Sequence, residues 1–243
     1  MSKVYTDTVT STEASQDLTL GGSGDNVIVT AGATLKTNTV KDSGGNTLWT
    51  SDGSGNLSSV NAGLAGGNMV LLSTQTASNA ASVSFTSGID NTYRLYIFKF
   101  YNVNPATDNV QFQMTASVDG GSSYGVTATT TFFRAVLGEG DSGASLAYIT
   151  AADLAQSASA VPLTTNQGNA ADENSAGEIH LFNPSSTTYV KHFYVRTGGM
   201  SYNNYSQDDF CAGYWNTTDD IDAIQFSFSS GNVDAVIKMY GLG

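Results

Sequence analysis

The residue types best suited to binding chemistry lie together in one segment, residues 198–207. This segment holds two tyrosines among side-chain amides, and the candidate binding residues are Tyr202, Asn203, Asn204 and Tyr205. Tyrosine offers a large contact area at low conformational cost, and asparagine adds adaptable hydrogen bonds. A loop of this composition between two strands can stack on a sugar or seal a protein contact. The alternative is that its tyrosines cover the core of their own domain.

The two histidines give little support to catalysis. His180 and His192 both fall in predicted strands, and neither has a nucleophile or an orienting acid at a recognisable spacing. The chain shows no G-x-S-x-G nucleophile elbow and no H-E-x-x-H helix of the kind found in common hydrolases. Its carboxylates are numerous enough for a glycosidase pair, but no particular pair stands out. We expect no catalytic residues and no enzymatic activity, with glycan cleavage as a remote alternative.

Three further signals favour structure over cofactor or metal binding. Residues 138–143 match G-x-G-x-x-G, but no βαβ unit surrounds them, and Glu139 and Asp141 would repel a pyrophosphate. The acidic residues 208–209 and 219–222 offer oxygens to Ca²⁺, yet their spacing is not that of an EF-hand, so solvated turns are favoured. The single cysteine, Cys211, is expected to be a small apolar residue in a strand. We expect no metal and no cofactor.

Composition narrows the class of partner. The chain has 243 residues, with 9 Lys+Arg against 21 Asp+Glu, a net charge of −12. A chain of this charge lacks the electrostatic footprint of a nucleic-acid-binding protein, and an anionic membrane would repel it. The N-terminus has no apolar signal-peptide region, and no run of residues is long enough for a membrane span. We therefore expect synthesis in a cytoplasm, no nucleic-acid partner and no membrane insertion.

Alternating apolar residues predict the elements that must position any site. The clearest case is residues 109–136, in which Val110, Phe112, Met114, Ala116 and Val118 alternate with polar residues before the turn at 119–123. We interpret this segment as an antiparallel hairpin. The predicted strands are 70–76, 82–86, 93–103, 109–118, 124–137, 178–183, 189–197, 209–216, 223–229 and 235–241. About ten strands without βαβ alternation predict an all-β, jelly-roll-like antiparallel sandwich, in which the doubly apolar segment 93–103 is central.

The segment from 138 to 176 is the exception to this pattern. Residues 150–153 resemble a capping box, so one short helix is possible there. A long loop inside a compact domain is usually functional or packs on a partner.

Residues 1–67 differ from the β-sandwich domain predicted for residues 68–243. Their apolar residues come in short bursts between Gly/Ser/Asn/Asp turns, and the sequence from Asp42 to Leu48 is echoed from Asp52 to Leu57. Strands this thin cannot build a core in one chain. Either the segment lies on the following domain, or several chains wind together and pool their apolar edges, which we favour. The remaining alternative is a partly ordered arm.

The opening MSKVYTDTVTS, the segment DLTLGGSGDNVIVTAGATLKTNTVKDSGGNTLWTSDGSGNLSSVN and the close AVIKMYGLG resemble tail-fibre-like structural proteins of marine bacteriophages. The segment from LLSTQTASNAASVSF to TATTTFFRA is similar to the C-terminal domain found beside such stalks. The resemblance implies a homotrimer located on the virion, docked by its N-terminus to other virion proteins. It also implies C-terminal β-domains that meet the host surface polysaccharide.

The sequence therefore favours one function and leaves a second as its alternative. The first is a short tail fibre or spike with a host receptor. The second is a capsid decoration or cement protein without a receptor, because the stalk is short for a fibre.

Overall fold

A computed structural model describes residues 37–51, 57–60 and 69–243. The described residues form strands, turns and irregular segments, and contain no helix. Accordingly, no helix in the described part is long and apolar enough to cross a membrane. The chain divides into two compact units, Met1–Asn61 and Ala62–Gly243. The division falls a few residues before the boundary predicted between residues 67 and 68, and residues 61–68 lie outside the described residues.

The described part of the first unit is a three-stranded antiparallel sheet. Its strands are β1 (Thr39–Lys41), β2 (Thr47–Ser51) and β3 (Leu57–Val60), in that order. The turn between β1 and β2 is built by Asp42, whose Oδ1 accepts hydrogen bonds from the backbone N–H groups of Gly44 (2.9 Å) and Asn46 (2.8 Å). Gly45 has a φ of 82°, which glycine adopts without strain. The echo of this turn, at residues 52–56, lies outside the described residues, as do residues 1–36.

The second unit contains two antiparallel sheets. The strands are β4 (Val70–Ala80), β5 (Val83–Phe85), β6 (Leu95–Pro105), β7 (Phe112–Ser117), β8 (Ala128–Gly138), β9 (Ser142–Tyr148), β10 (Leu154–Ser157), β11 (Val161–Pro162), β12 (Ser175–Phe182), β13 (Lys191–Met200), β14 (Tyr205–Trp215), β15 (Ala223–Phe228) and β16 (Val233–Leu242). The nine-stranded sheet has the order β10-β8-β14-β13-β12-β6-β16-β4, with β9 also pairing with β8. The four-stranded sheet has the order β11-β7-β15-β5.

The core lies between the two sheets and is rich in phenylalanine. Phe98 and Phe100 of β6 meet rings of the smaller sheet, with centroids 5.6 Å from Phe98 to Phe226 and 5.5 Å from Phe100 to Phe112. All four rings are at most 1% exposed, and each buried phenylalanine contributes about 2–3 kcal/mol of hydrophobic stabilisation. The all-β antiparallel sandwich is thus confirmed. Strand β6 lies between β12 and β16, as expected for a central strand.

The hairpin predicted at residues 109–136 is wrong. Its first half is β7 in the four-stranded sheet, and its second half is β8 in the nine-stranded sheet, so the two do not pair. The turn is held by its own side chains instead. Asp119 accepts hydrogen bonds from the Ser117 hydroxyl (2.7 Å) and the Ser123 backbone N–H (2.9 Å). Alternation identified the buried face of each strand, but it does not determine which strand lies alongside.

The short helix at residues 150–153 is also wrong, because these residues form a turn between β9 and β10. The Ala152 N–H donates to the Ile149 carbonyl (3.0 Å), and the Tyr148 hydroxyl donates to Asp153 Oδ2 (2.7 Å). Both strands pair with β8 in succession, so the turn spans too few residues for a helix. The segment from 138 to 176 therefore contributes three short strands rather than one long loop.

Candidate functional site

The face of the nine-stranded sheet that points away from the core carries the most side chains capable of binding. Along β13, the core-facing residues Phe193 and Val195 are buried, whereas Tyr194 and Arg196 between them are exposed. The same alternation holds along β12 and β14. The outer face therefore displays every second residue of these strands, and we refer to it below by that name.

A polar groove crosses one end of the outer face. Its floor consists of the small residues Ala176, Gly177, Gly198 and Gly199, contributed by β12 and β13, and its volume is about 710 Å³. A Cβ added at Gly198 would meet no atom within 4 Å, so the space above this residue is open. At Gly177 a Cβ would collide with the Arg196 carbonyl, since the neighbouring strand approaches closely there. The groove exists because, on the outer face, Gly198 has no side chain and Ala176 has only a methyl group.

Two ion pairs and one tyrosine form the walls of the polar groove. Glu178 lies opposite Lys99 on β6 and opposite Arg196 on β13. Its Oε2 is 3.1 Å from Lys99 Nζ, and its Oε1 is 3.0 Å from Nε2 of His180. Arg196 binds Asp208 through both arms, with Nε–Oδ1 at 3.1 Å and Nη2–Oδ2 at 2.8 Å. Tyr101 adds an exposed ring.

These pairs fix the charges of the walls. The hydrogen bond with His180, followed by that with Lys99, lowers the pKa of Glu178. The bonds to Asp208 raise the pKa of Arg196. At neutral pH the groove therefore presents paired carboxylates and cations, with hydrogen-bond donors and acceptors side by side and little net charge. Such walls suit a ligand rich in hydroxyl groups, which donate and accept equally.

Beyond the polar groove, the outer face is aromatic. The Arg196 guanidinium lies 5.0 Å from the centroid of the Phe210 ring, which stacks on Phe133 at 4.6 Å with an interplanar angle of 6°. The rings of His180 and Tyr194 stack at 4.5 Å, and the Tyr194 hydroxyl is 3.0 Å from His180 Nδ1. A second depression of about 410 Å³ follows, lined by rings and threonines. The outer face thus changes from polar to apolar along the strands.

The four residues singled out from sequence lie at the turn between β13 and β14. Tyr202, Asn203 and Asn204 are exposed at its tip, whereas Tyr205 begins β14. Asn204 has a φ of 62°, which asparagine tolerates better than most residues. The Tyr202 N–H donates to the Asn166 carbonyl (3.0 Å), so the turn is tied to the 138–176 segment. The two regions favoured as binding sites are therefore in contact.

The acidic residues do not behave as one group. The prediction that Asp208 and Asp209 lie in a solvated turn is wrong. Both residues lie inside β14, and Asp209 is only 2% exposed. The error arose because adjacent carboxylates suggested a turn, whereas here they face opposite sides of a sheet. Asp219 and Asp220 are exposed as expected. No cluster of three potential metal ligands occurs in the described part of the chain.

The remaining candidates lie where their simplest interpretation predicted. Cys211 is buried in β14, where burial raises the pKa of its thiol to about 12, far from that of a nucleophile. Residues 138–143 join β8 to β9, with Glu139 and Asp141 exposed. His180 and His192 lie in strands, on the outer face.

Sequence reasoning missed the charged walls of the polar groove. Lys99, Glu178 and Arg196 lie far apart in the chain, and each reads as a lone charge in a strand. Their exposed face is visible in the alternation of β12 and β13, but their proximity depends on strand order and register. Comparisons with protein-family models, with curated proteins and with solved structures found no match to this chain.

Proposed function

We propose that this chain is a bacteriophage virion structural protein, a homotrimeric short tail fibre or spike. Its N-terminal region, residues 1–67, attaches to other virion proteins, and its β-sandwich binds a neutral glycan of the host surface through the polar groove. The observation that carries the glycan assignment is the pairing of Glu178 with Lys99 and of Arg196 with Asp208 around a glycine floor. The virion assignment rests on the resemblance of the sequence to tail-fibre-like proteins.

The chemistry of the groove favours a neutral sugar over other ligands. A polyanion would meet the carboxylates of Glu178 and Asp208 in a chain of net charge −12. A purely apolar ligand would leave the charged groups without hydrogen-bonding water. A sugar presents hydroxyl groups to the carboxylates and a C–H face to an aromatic ring such as Tyr101. The groove is also open along the outer face, which suits a polymer.

We propose binding without cleavage. Each carboxylate of the polar groove is already engaged by a cation, and the hydrogen bonds with His180 and Lys99 lower the pKa of Glu178. A general acid for glycoside hydrolysis needs the opposite shift. Incubation of the protein with the polysaccharide that it binds should release no reducing sugar, and release would contradict this proposal.

The test of binding uses two matched glycine substitutions. Gly198→Leu places a side chain in the open space of the groove, whereas Gly140→Leu adds the same side chain in the β8–β9 turn, where a Cβ also meets no atom within 4 Å. Full-length protein should adhere to surface polysaccharides of some members of a panel of marine bacteria and compete with infection of those strains. Gly198→Leu should lose adherence, and Gly140→Leu should keep it. Equal adherence of both variants, or no adherence of the wild type, would contradict the assignment.

Trimerisation is tested separately. Light scattering on the full chain should give about three times the chain mass of 25.3 kDa. A monomeric mass would refute the pooled-core argument for residues 1–67.

A capsid decoration protein without a receptor remains a second candidate. It is favoured by the apolar end of the outer face, where Tyr189 is 72% exposed beside a depression of about 480 Å³. An exposed apolar patch of this kind is typical of a protein–protein contact. Decoration predicts hundreds of copies per particle and capsids that weaken when the protein is absent. Locating it on the virion by electron microscopy distinguishes the two functions.

A further inference from the structure

A second pocket lies on the side of β14 opposite the polar groove. It is closed by the turn that carries Ser201, Tyr202 and Asn203, and Arg134 of β8 lines it. Its volume is about 140 Å³, the space of about four or five molecules of liquid water. The pocket can therefore accept a small ligand or a single group of a larger one. We refer to it below as the Arg134 pocket.

Arg134 is held in place by hydrogen bonds from only one of its guanidinium nitrogens. Its Nη1 donates to Thr165 Oγ1 (2.8 Å) and to Asn166 Oδ1 (2.9 Å). Its Nε and Nη2 donate to no partner among the described residues, which leaves N–H groups of a planar guanidinium for a ligand. A guanidinium binds a carboxylate through two parallel hydrogen bonds better than it binds most other groups.

The surroundings of Arg134 keep its orientation fixed. Thr165 in turn donates its backbone N–H to Asp209 Oδ2 (3.1 Å), and Gln207 Nε2 donates to Thr165 Oγ1 (3.0 Å). Thr165, Gln207 and Asp209 are all buried. Asp209 itself does not line the pocket. Among the described residues that line it, Arg134 has the only charged side chain.

The rim offers further hydrogen-bonding groups on an exposed turn. The Ser201 hydroxyl donates to Asn203 Oδ1 (2.6 Å), which leaves the Asn203 amide NH₂ available to an acceptor. Tyr202 and Tyr205 add phenol rings to the walls. Donors thus dominate a pocket that holds a single cation.

We propose that the Arg134 pocket binds the carboxylate of a small organic acid, such as the acid group of a uronic sugar. The guanidinium forms the anchoring hydrogen bonds, and the turn of residues 201–205 forms one wall of the binding site. This site shares only Gln207 with the lining of the polar groove, and the proposal does not depend on the glycan proposed for that groove. It assigns a role to the tyrosine and asparagine residues of the turn, which line no part of that groove.

The proposal is tested by NMR titration of the full-length protein with sodium acetate and with galacturonate, at constant pH and ionic strength. Both probes should shift the Arg134 Nε–H and Asn203 amide signals saturably, whereas galactose should not. Arg134→Lys keeps the positive charge but loses the fork, and should weaken both acids about tenfold or more. Arg94→Lys is the matched control at an exposed arginine that lines neither site, and it should leave their affinity unchanged.

A second variant guards against a folding effect of Arg134→Lys. Asn203→Asp keeps the acceptor for the Ser201 hydroxyl on an exposed residue and adds a negative charge to the rim. It should weaken both acids several-fold through repulsion. No saturable shift in the wild type, an equal response to galactose or to sodium sulfate, or unchanged affinity in Asn203→Asp would overturn the proposal.

Discussion

Asp208 and Asp209 are neighbours on β14, yet they occupy opposite sides of the nine-stranded sheet. Asp208 points to the outer face and forms a two-armed ion pair with Arg196. Asp209 points inward, is 2% exposed, and is separated from Arg134 by the Thr165 hydroxyl that both contact. Each aspartate thus has an arginine nearby, but Asp208 is exposed to solvent and Asp209 is buried.

This comparison shows that burial, rather than residue type, decides the charge state of these carboxylates. Desolvation raises the pKa of Asp209 to about 7, despite the opposing effects of the hydrogen bonds from Gln207 and Thr165 and the charge of Arg134. The inner side of β14 therefore holds a carboxyl that titrates near neutral pH. The outer side holds a salt bridge that is open to water and hence to ligand hydroxyl groups.

The largest expected effect is a pH dependence of stability caused by Asp209. Between pH 3.8 and about 7, the unfolded chain has released a proton that the folded chain retains, so the free energy of unfolding falls as pH rises and levels off above about 7. The total loss is about 4 kcal/mol. An asparagine at position 209 can keep the hydrogen bonds that Asp209 Oδ2 accepts from the Thr165 N–H and from Gln207 Nε2.

The difference in stability between Asp209→Asn and the wild type should therefore grow in favour of the variant from pH 4 to pH 8, in urea titrations. Asp208→Asn is the control, and its difference from the wild type should change little over the same range. A pH-independent difference for Asp209→Asn would show that Asp209 is ionised throughout.

A smaller effect is expected when each carboxyl is removed at pH 5. Asp209→Ala leaves the Thr165 N–H without its acceptor in a buried site and removes one of the three acceptors of Gln207 Nε2, at a cost of about 2 kcal/mol. Asp208→Ala breaks an exposed ion pair, at a cost of about 0.5–1 kcal/mol. Denaturant unfolding of both variants measures the contrast. Equal losses would contradict the assignment of the two aspartates to different surroundings.

The smallest expected effect concerns the cation on the outer face. Arg196→Ala should lower the free energy of unfolding only slightly at low salt, because it removes the exposed pair with Asp208 and the contact with the Phe210 ring. Part of this loss should disappear at 1 M salt, which screens the pair. Lys238→Ala, which removes a cation 5.9 Å from the Tyr101 ring, is the control and should show a weaker salt dependence.

The sequence predicted correctly those features that depend on the pattern of apolar residues within a single strand. Alternation located the ten main strands and predicted that segment 93–103 is central, because each strand shows its own buried face. It failed where the outcome depends on another segment. The partner of β7 is β15 and not β8, and nothing in residues 109–136 specifies this. The short strands β9 and β10 were missed because their residues do not alternate between buried and exposed, and β11 was missed because its two buried residues are too few to form a pattern.

The candidate site was predicted in part for the same reason. The turn at Tyr202 and Asn203 was visible from composition, since tyrosine and asparagine lie together in the chain. The polar groove was not, because Lys99, Glu178 and Arg196 become neighbours only through the register of β6, β12 and β13. Gly177 and Gly198 lie just outside the predicted strands 178–183 and 189–197, whereas in the structure they belong to β12 and β13 and line the groove.

The most direct test of the glycan assignment is a footprint of the bound ligand. A neutral hexose oligosaccharide selected from a panel for binding would be titrated into the full-length protein, and backbone amide signals would be followed by NMR. Saturable shifts should cluster on the outer face, at Ala176, Gly198 and Tyr101, with smaller changes at Phe133 and Tyr194. Shifts confined to the four-stranded sheet or to residues 201–205 would contradict the assignment of the polar groove.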